Sequence, residues 1–446
     1  MARRPRLAIR EALCKLFSGK YLKELAKETG VVKRDRKVKI VDLFWTLVLG
    51  FGAGRTRTLA GLRREYEQRC GETLVASSFH KRFTLALTEL LYRAMEHGLE
   101  SLMQQPCANR GILADFKEMI CTDATVIKVH DLLASSYPAT RKNSVKAAMK
   151  LHLVWCAQGA GRSTVKVTGE RTPDLKKLVV SDRFQGSLLL FDLGYFAYAL
   201  FSSIIRHQGF FVSRLKGKIN PVIVADHGTG RGRSMNLVGR RLRDVEPLLK
   251  RKVVDLQVEV EHKRRVYRST RSRETLSLRL IGLWNEDTAC YHWYVTNIPA
   301  DRLSAEEIGA VYRFRWQIEL LFRELKGRYR LDQLPTSKDH IVKALFYASI
   351  LTLIVSRRLL ALTAAKLMQP RLPTERFAEI LVHCAAEILS IMLAKPPEAR
   401  SRERQVTRVL LWEALDPNRK RSSLQQSVEF GECISHCKPM RLKGAV

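Results

Sequence analysis

Apolar residues recur at helical spacing through the first hundred positions, then switch to two-residue alternation near residue 113. Arg10–Leu16, Leu22–Glu28 and Val41–Leu49 carry apolar side chains every third or fourth position. Thr58–Tyr66, Gly71 and Ser77–Leu91 predict two helices joined by a turn, with Ser77-Ser78 as a candidate N-cap. Such a pair fits a helix-turn-helix DNA reader or a plain helical bundle. Beyond it, Met119–Val129, Ala147–Trp155 and Ser163–Thr168 predict strands. Pro173–Phe184 predicts a helix, Ser187–Phe191 a short buried strand, Tyr195–His207 a helix and Gly209–Leu215 a strand. Strands alternating with helices predict a layered α/β core.

Residues 216–300 predict a β-rich insertion. Leu256, Val258 and Val260 alternate with polar residues, as do Leu276, Leu278 and Leu280, and Cys290–Thr296 is a further strand. One long helix is expected over 304–327, opened by the capping-box pair Ser304 and Glu307. From about 340 to 413 the pattern is helical again. Its most apolar stretch, ALFYASILTLIVS at 344–356, is short of the roughly 18 residues that suggest a membrane span. It reads as a buried core helix.

Charge narrows the function. The 446 residues hold 78 Lys/Arg against 44 Asp/Glu, a net of +34. A polyanion is the expected partner. Residues 1–40 carry 13 basic against 4 acidic side chains, and residues 214–280 carry 18 against 7. The basic N-terminus lacks a signal-peptide apolar stretch, which points to nucleic acid in a cytoplasm. Nine scattered cysteines fit a reducing compartment. Cys433-x3-Cys437 with His436 hints at a metal clip, without a second ligand pair at zinc spacing.

Three carboxylates stand out. Asp123 lies inside the apolar strand ICTDATVIKV, where a carboxylate needs a partner or a cation. Asp192 ends the apolar strand SLLLF, and strand ends of α/β sheets are where ligand sites form. Glu319 lies on the long helix with Tyr312, Arg315 and Lys326. At about 100° per residue these four fall within a stripe roughly 60° wide, while Glu324 is about 140° from Glu319. Asp131 and Asp182 are weaker candidates in polar, loop-like surroundings. Asp123, Asp192 and Glu319 could converge at one sheet edge, where hard Mg²⁺ or Mn²⁺ favours oxygen ligands.

The spacing Tyr312-x2-Arg315-x3-Glu319-x6-Lys326 resembles the YREK-type DDE transposases of bacterial insertion sequences, the insertion-sequence family four group. The Asp123-Ala124-Thr125 strand and the Asp192-Leu193-Gly194-Tyr195 turn are similar to that family's two aspartate regions. GFFVSRLK, with Arg214 and Lys216, also has a counterpart there.

The resemblance implies an α/β fold: an RNase H-like core with a β-rich insertion, flanked by helical domains. The expected division is a helical DNA-binding domain at 1–112, a catalytic core at 113–330 with its insertion at about 216–300, and a helical C-terminal domain at 331–446 with a poorly ordered basic tail. The implied activity is cut-and-paste transposition. Two Mg²⁺ ions, replaceable by Mn²⁺, would sit on Asp123, Asp192 and Glu319, and a DNA hairpin would form and reopen. Tyr312, Arg315 and Lys326 would hold phosphates near a flipped base. Arg214 and Lys216 would also meet DNA. Trp293 would stack on the base, with a core Trp as the alternative, and Trp316 would be packing. The implied partners are double-stranded DNA (terminal inverted repeats and target) and a second copy in a homodimeric synaptic complex on the bacterial nucleoid. The rival readings are an RNase H-like nuclease that does not join DNA and a non-catalytic DNA-binding inhibitor or domesticated derivative.

Overall fold

A computed structural model describes residues 7–32, 38–103, 111–140, 145–159, 161–228, 236–263, 273–369 and 372–415. Nine strands form one sheet: β1 (Glu118–Lys128), β2 (Ala148–Gly159), β3 (Thr164–Gly169), β4 (Leu188–Phe191), β5 (Phe210–Arg214), β6 (Val222–Asp226), β7 (Val253–Lys263), β8 (Arg273–Asn285) and β9 (Cys290–Thr296). Their order is β3-β2-β1-β4-β5-β9-β8-β7-β6. β4 runs parallel to β1 and β5, and every other neighbouring pair is antiparallel. The expected insertion is β-rich, but it does not stand apart. Its last strand, β9, pairs with β5 from Val212↔Thr296 to Arg214↔Tyr294 and extends the core sheet.

β4 explains why the core strands read as continuous apolar runs. Successive side chains of a strand point to opposite faces. Leu188 and Leu190 enter one hydrophobic core, and Leu189 and Phe191 enter the other. The second core is completed by α7 (Tyr198–Arg206) and the insertion strands.

The other face is covered by helices from both ends of the chain. Before β1 come α1 (Ile9–Leu16), α2 (Gly19–Glu28), α3 (Ile40–Thr46), α4 (Leu59–Cys70), α5 (Ala76–His80) and α6 (Leu85–Met103). A short α8 (Leu242–Val245) lies in the insertion, followed by α9 (Ala305–Arg313), α10 (Trp316–Gly327), α11 (Asp339–Leu367), α12 (Thr374–Leu393) and α13 (Pro396–Glu413). α11 is long and apolar enough to cross a membrane by length and composition. Here it is a core helix, packed against α6, α12 and a π-helical turn at Leu47–Gly52. Gly52 is required there: a Cβ would lie 2.0 Å from the Thr352 hydroxyl and 2.6 Å from the Ala348 carbonyl.

The helices expected as separate N- and C-terminal domains pack on one another. The Leu7 N–H donates to Thr407 Oγ1 (3.3 Å), and the Arg10 N–H donates to Glu403 Oε1 (3.0 Å). Both sets belong to one hydrophobic core.

Several predicted helices differ in detail. The stretch from Ser77 splits into α5 and α6, and Ser77-Ser78 lies inside α5, which starts after Val75. Pro173–Phe184 forms two 3₁₀ turns, Asp174–Lys177 and Asp182–Phe184, with extended backbone at Leu178 between them. The β-branched pair Val179-Val180 follows in that link. The helix expected over 304–327 is broken at Phe314–Arg315, between α9 and α10. The Phe314, Arg315, Gln317 and Ile318 N–H groups there bond three residues back, a tighter winding than the α-helix. Cys433, His436 and Cys437 lie outside the described residues.

Candidate active site

The register of β1 and β4 brings two carboxylates together. Thr122 pairs with Phe191, and the next residues on these neighbouring parallel strands are Asp123 and Asp192. Asp123 Oδ1 accepts the Ala124 N–H at 2.7 Å. Burial pushes the Asp123 carboxyl up to about 6, opposed by that N–H and by the Arg315 charge, while Asp192 and Glu319 add repulsion. Three negative charges therefore act on one another at this edge.

The third carboxylate arrives on α10. Arg315 Nη2 lies 2.6 Å from Glu319 Oε1. Arg315 Nε is buried without a hydrogen-bond partner, and the guanidinium lies 5.7 Å from the Tyr312 ring centroid. Tyr312 is itself buried on α9, and its hydroxyl donates to the Phe191 carbonyl at 3.1 Å. That carbonyl belongs to the residue before Asp192, so Tyr312 ties the helix to the strand end. Lys326 Nζ donates to the Val126 carbonyl at 2.8 Å, fastening α10 to β1 three residues beyond Asp123. The break at Phe314–Arg315 permits both attachments, because α9 packs on β5, β7 and β8 and reaches β4 through Tyr312 while α10 leans on β1.

Cations flank this edge. Arg214 is exposed at the end of β5, opposite Tyr294, whose ring packs 5.1 Å from Tyr312. Lys216 Nζ donates to the Phe196 carbonyl at 3.3 Å, just beyond the Asp192 turn.

The transposase DDE domain family matches residues 114–355, more than half of the chain and all of this site. The chain belongs to the DDE-domain transposases. It is similar to the transposase of insertion sequence IS231B from Bacillus thuringiensis subsp. berliner, 21% identical over 389 residues, or 77% of this chain and 78% of that one. It is also similar to the IS231F transposase from B. thuringiensis subsp. israelensis, 22% identical over 382 residues, with the same shares covered. A shorter likeness, 42% identity over 57 residues, joins it to the putative transposase InsL of IS186A in Escherichia coli K12, covering 13% of this chain and 15% of that one. Among solved structures, the piggyBac transposase synaptic complex with hairpin DNA superposes with a TM-score of 0.43 at 10% identity, covering 94% of this chain and 88% of that one.

Two further residues of this transposase are buried. Trp293 is only 5% exposed and lies in the core of the insertion, the core position given as its alternative to base stacking. Its indole N–H donates to Glu246 Oε1 at 2.6 Å, and its ring fills the space beside Gly282, where a Cβ would come within 2.5 Å. Glu324 faces Arg357 of α11, away from Glu319. It is buried and bonds Arg357 at 2.6 and 3.0 Å. Asp131 and Asp182, the weaker candidates, have exposed side chains.

A fourth carboxylate escaped the sequence reading. Asp174 Oδ2 lies near Gly194, behind the Asp192 turn. Its Oδ1 accepts from Lys150 at 3.1 Å and lies 3.5 Å from His152 Nδ1. Lys150 and His152 alternate with the apolar face of β2, which is the only local signal.

Among the described residues, no three His, Cys, Asp or Glu side chains are gathered as a ready-made metal site. The donor set nevertheless suits a hard divalent cation. It is all oxygen, it is anionic, and its charges repel one another. Glu319 is held instead by a cation of the protein itself, Arg315.

Proposed function

We propose that this transposase moves an insertion sequence by cut-and-paste, with Asp123, Asp192 and Glu319 holding two Mg²⁺ ions. The observation that carries the reading is the register of β1 and β4, which sets Asp123 and Asp192 side by side after the paired Thr122 and Phe191, with Glu319 on α10 close enough for its charge to act on Asp123. Bound there, two divalent ions would activate an attacking oxygen and stabilise a leaving one.

The remaining work falls to the chain's own residues. Arg315 is the phosphate ligand nearest the carboxylates. An incoming phosphodiester competes with Glu319 for its guanidinium, and a released Glu319 would be available to hold metal with Asp123 and Asp192. Tyr312 has spent its hydroxyl on the Phe191 carbonyl, so it fixes the strand end that carries Asp192. Lys326 holds α10, the helix that carries Glu319, on β1, the strand that carries Asp123. Arg214 offers an exposed cation at the same edge for the DNA backbone.

The first five strands support an RNase H-like core, since the order β3-β2-β1-β4-β5 joins two antiparallel pairings, β3/β2 and β2/β1, to two parallel ones, β1/β4 and β4/β5. The functional division at 1–112, 113–330 and 331–446 stays as proposed, with the outer two segments joined in one helical body. An element has two ends, so a homodimer is the smallest synaptic complex, acting on inverted repeats and target DNA at the bacterial nucleoid in the cytoplasm. Purified protein with Mg²⁺ and labelled element ends tests the reading. Excised ends joined to target DNA, through a hairpin intermediate, are expected. Cutting without joining would mark a nuclease, and binding alone a non-catalytic derivative.

A further inference from the structure

α13 carries a surface that the site does not use. Its Ala399, Glu403, Val406, Thr407, Leu410 and Ala414 are buried against the rest of the helical body. On the opposite side Arg400, Arg404, Arg408 and Trp412 follow one another at four-residue steps, and all are exposed. Trp412 is 82% exposed, nearly the whole of a large aromatic side chain.

Four-residue steps place the arginines about 6 Å apart along the helix, drifting slowly round one face. Among the described residues, none of the three has an acidic partner, whereas neighbouring Arg402 is paired with Glu387 at 3.2 Å. Three uncompensated guanidiniums in a row suit an anion that repeats along a line. Guanidinium forks bind phosphate oxygens in pairs, and an exposed indole beyond them offers a face on which an unpaired base stacks.

We propose that the Arg400–Arg404–Arg408–Trp412 face of α13 is a DNA tract. It grips phosphates without reading sequence and stacks Trp412 on an unpaired base beside the duplex. Charge selects this occupant over two others. A second copy meeting the face symmetrically would set arginine row against arginine row. The chain's own residues 416–446 carry six Lys/Arg against three Asp/Glu and are repelled as well.

The test uses the full chain and a labelled duplex of arbitrary sequence, either blunt or with a single-stranded overhang, titrated over a range of salt. Replacing Arg400, Arg404 and Arg408 together by Ala makes the slope of log affinity against log salt shallower by roughly 2.7, about 0.9 per phosphate, on both DNAs. Arg402→Ala leaves the slope alone. Trp412→Ala keeps the slope and weakens overhang binding about tenfold while sparing the blunt duplex. All substituted positions are exposed, so thermal melts remain at the wild-type value. An unchanged slope in the triple variant overturns the proposal. So does a Trp412→Ala protein that binds both DNAs normally but sediments as a smaller species, which marks the face as a contact between copies.

Discussion

Arg315 and Glu319 form a 2.6 Å ion pair at the start of α10, and the same arginine acts electrostatically on Asp123. One guanidinium thus offsets the repulsion among the carboxylates. Replacing it with an uncharged side chain should leave Glu319 free and the site more negative. Arg315→Gln is expected to bind Mn²⁺ about tenfold more tightly than wild type in the absence of DNA, the effect of one nearby charge at moderate screening. Its affinity for element ends should fall at the same time. Paramagnetic resonance of unbound Mn²⁺ measures the first quantity and gel shift the second. Equal Mn²⁺ affinity in the two proteins would show that the pair does not restrain Glu319.

Helix spacing alone sets Glu324 about 140° from Glu319 and makes it the control whose loss should spare activity. Its burial against Arg357 adds a stability role to that expectation. Removing one partner of a buried pair leaves the other charge uncompensated, at a cost of about 3 kcal/mol or more. Glu324→Gln should therefore lower the melting temperature and the yield of folded protein. Nicking per folded molecule should stay close to wild type. A variant of normal stability would contradict the buried pair.

Trp293→Ala should act on stability. Emptying the space beside Gly282 and leaving Glu246 without its indole donor costs about 3–5 kcal/mol. Nicking and hairpin formation should decline in parallel, along with earlier proteolysis of the insertion. Loss of hairpins with nicking and stability intact would restore a base-stacking role.

The raised carboxyl of Asp123 makes a pH prediction for the metal-free protein. Its ordinary value of 3.8 is pushed to about 6 in the fold, chiefly by burial. The native state therefore binds more protons than the unfolded chain across that window, and stability falls as pH rises through it. Asp123→Asn removes the effect. It should exceed wild type by up to about 3 kcal/mol above pH 6, with the gain vanishing below pH 4. Denaturant melts in chelator at both ends of the range measure this. A gain that is the same at both ends would assign the effect to packing.

What the sequence disclosed follows the range of the forces involved. Alternation or a short apolar run located β1, β2, β4 and β5 because each side chain's face is decided locally. Ser304 and Glu307 form the capping box that their spacing predicts. The Tyr312–Lys326 spacing found the helix beside the carboxylates because residues three and four apart are neighbours on a helix. The break at Phe314–Arg315 was not legible, since neither residue is a proline or glycine. It follows from the separate attachments of Tyr312 to β4 and Lys326 to β1. Trp293 is buried by Gly282 on the adjacent strand and by Glu246, and Glu324 by Arg357 one helix later. The joint packing of α1 with α13 depends on contacts nearly four hundred residues apart. None of these leaves a local pattern.

The central claim is that three carboxylates make one metal site. Asp123→Asn, Asp192→Asn and Glu319→Gln each remove one negative charge and one oxygen ligand. They also remove repulsion toward the incoming phosphates. The most direct measurement is nicking of a labelled element end in Mg²⁺, with binding to the same DNA measured in parallel. Each variant should fail to nick while binding as tightly as wild type or slightly more so. Variants that all continue to cut would put the metal site elsewhere and contradict the mechanism.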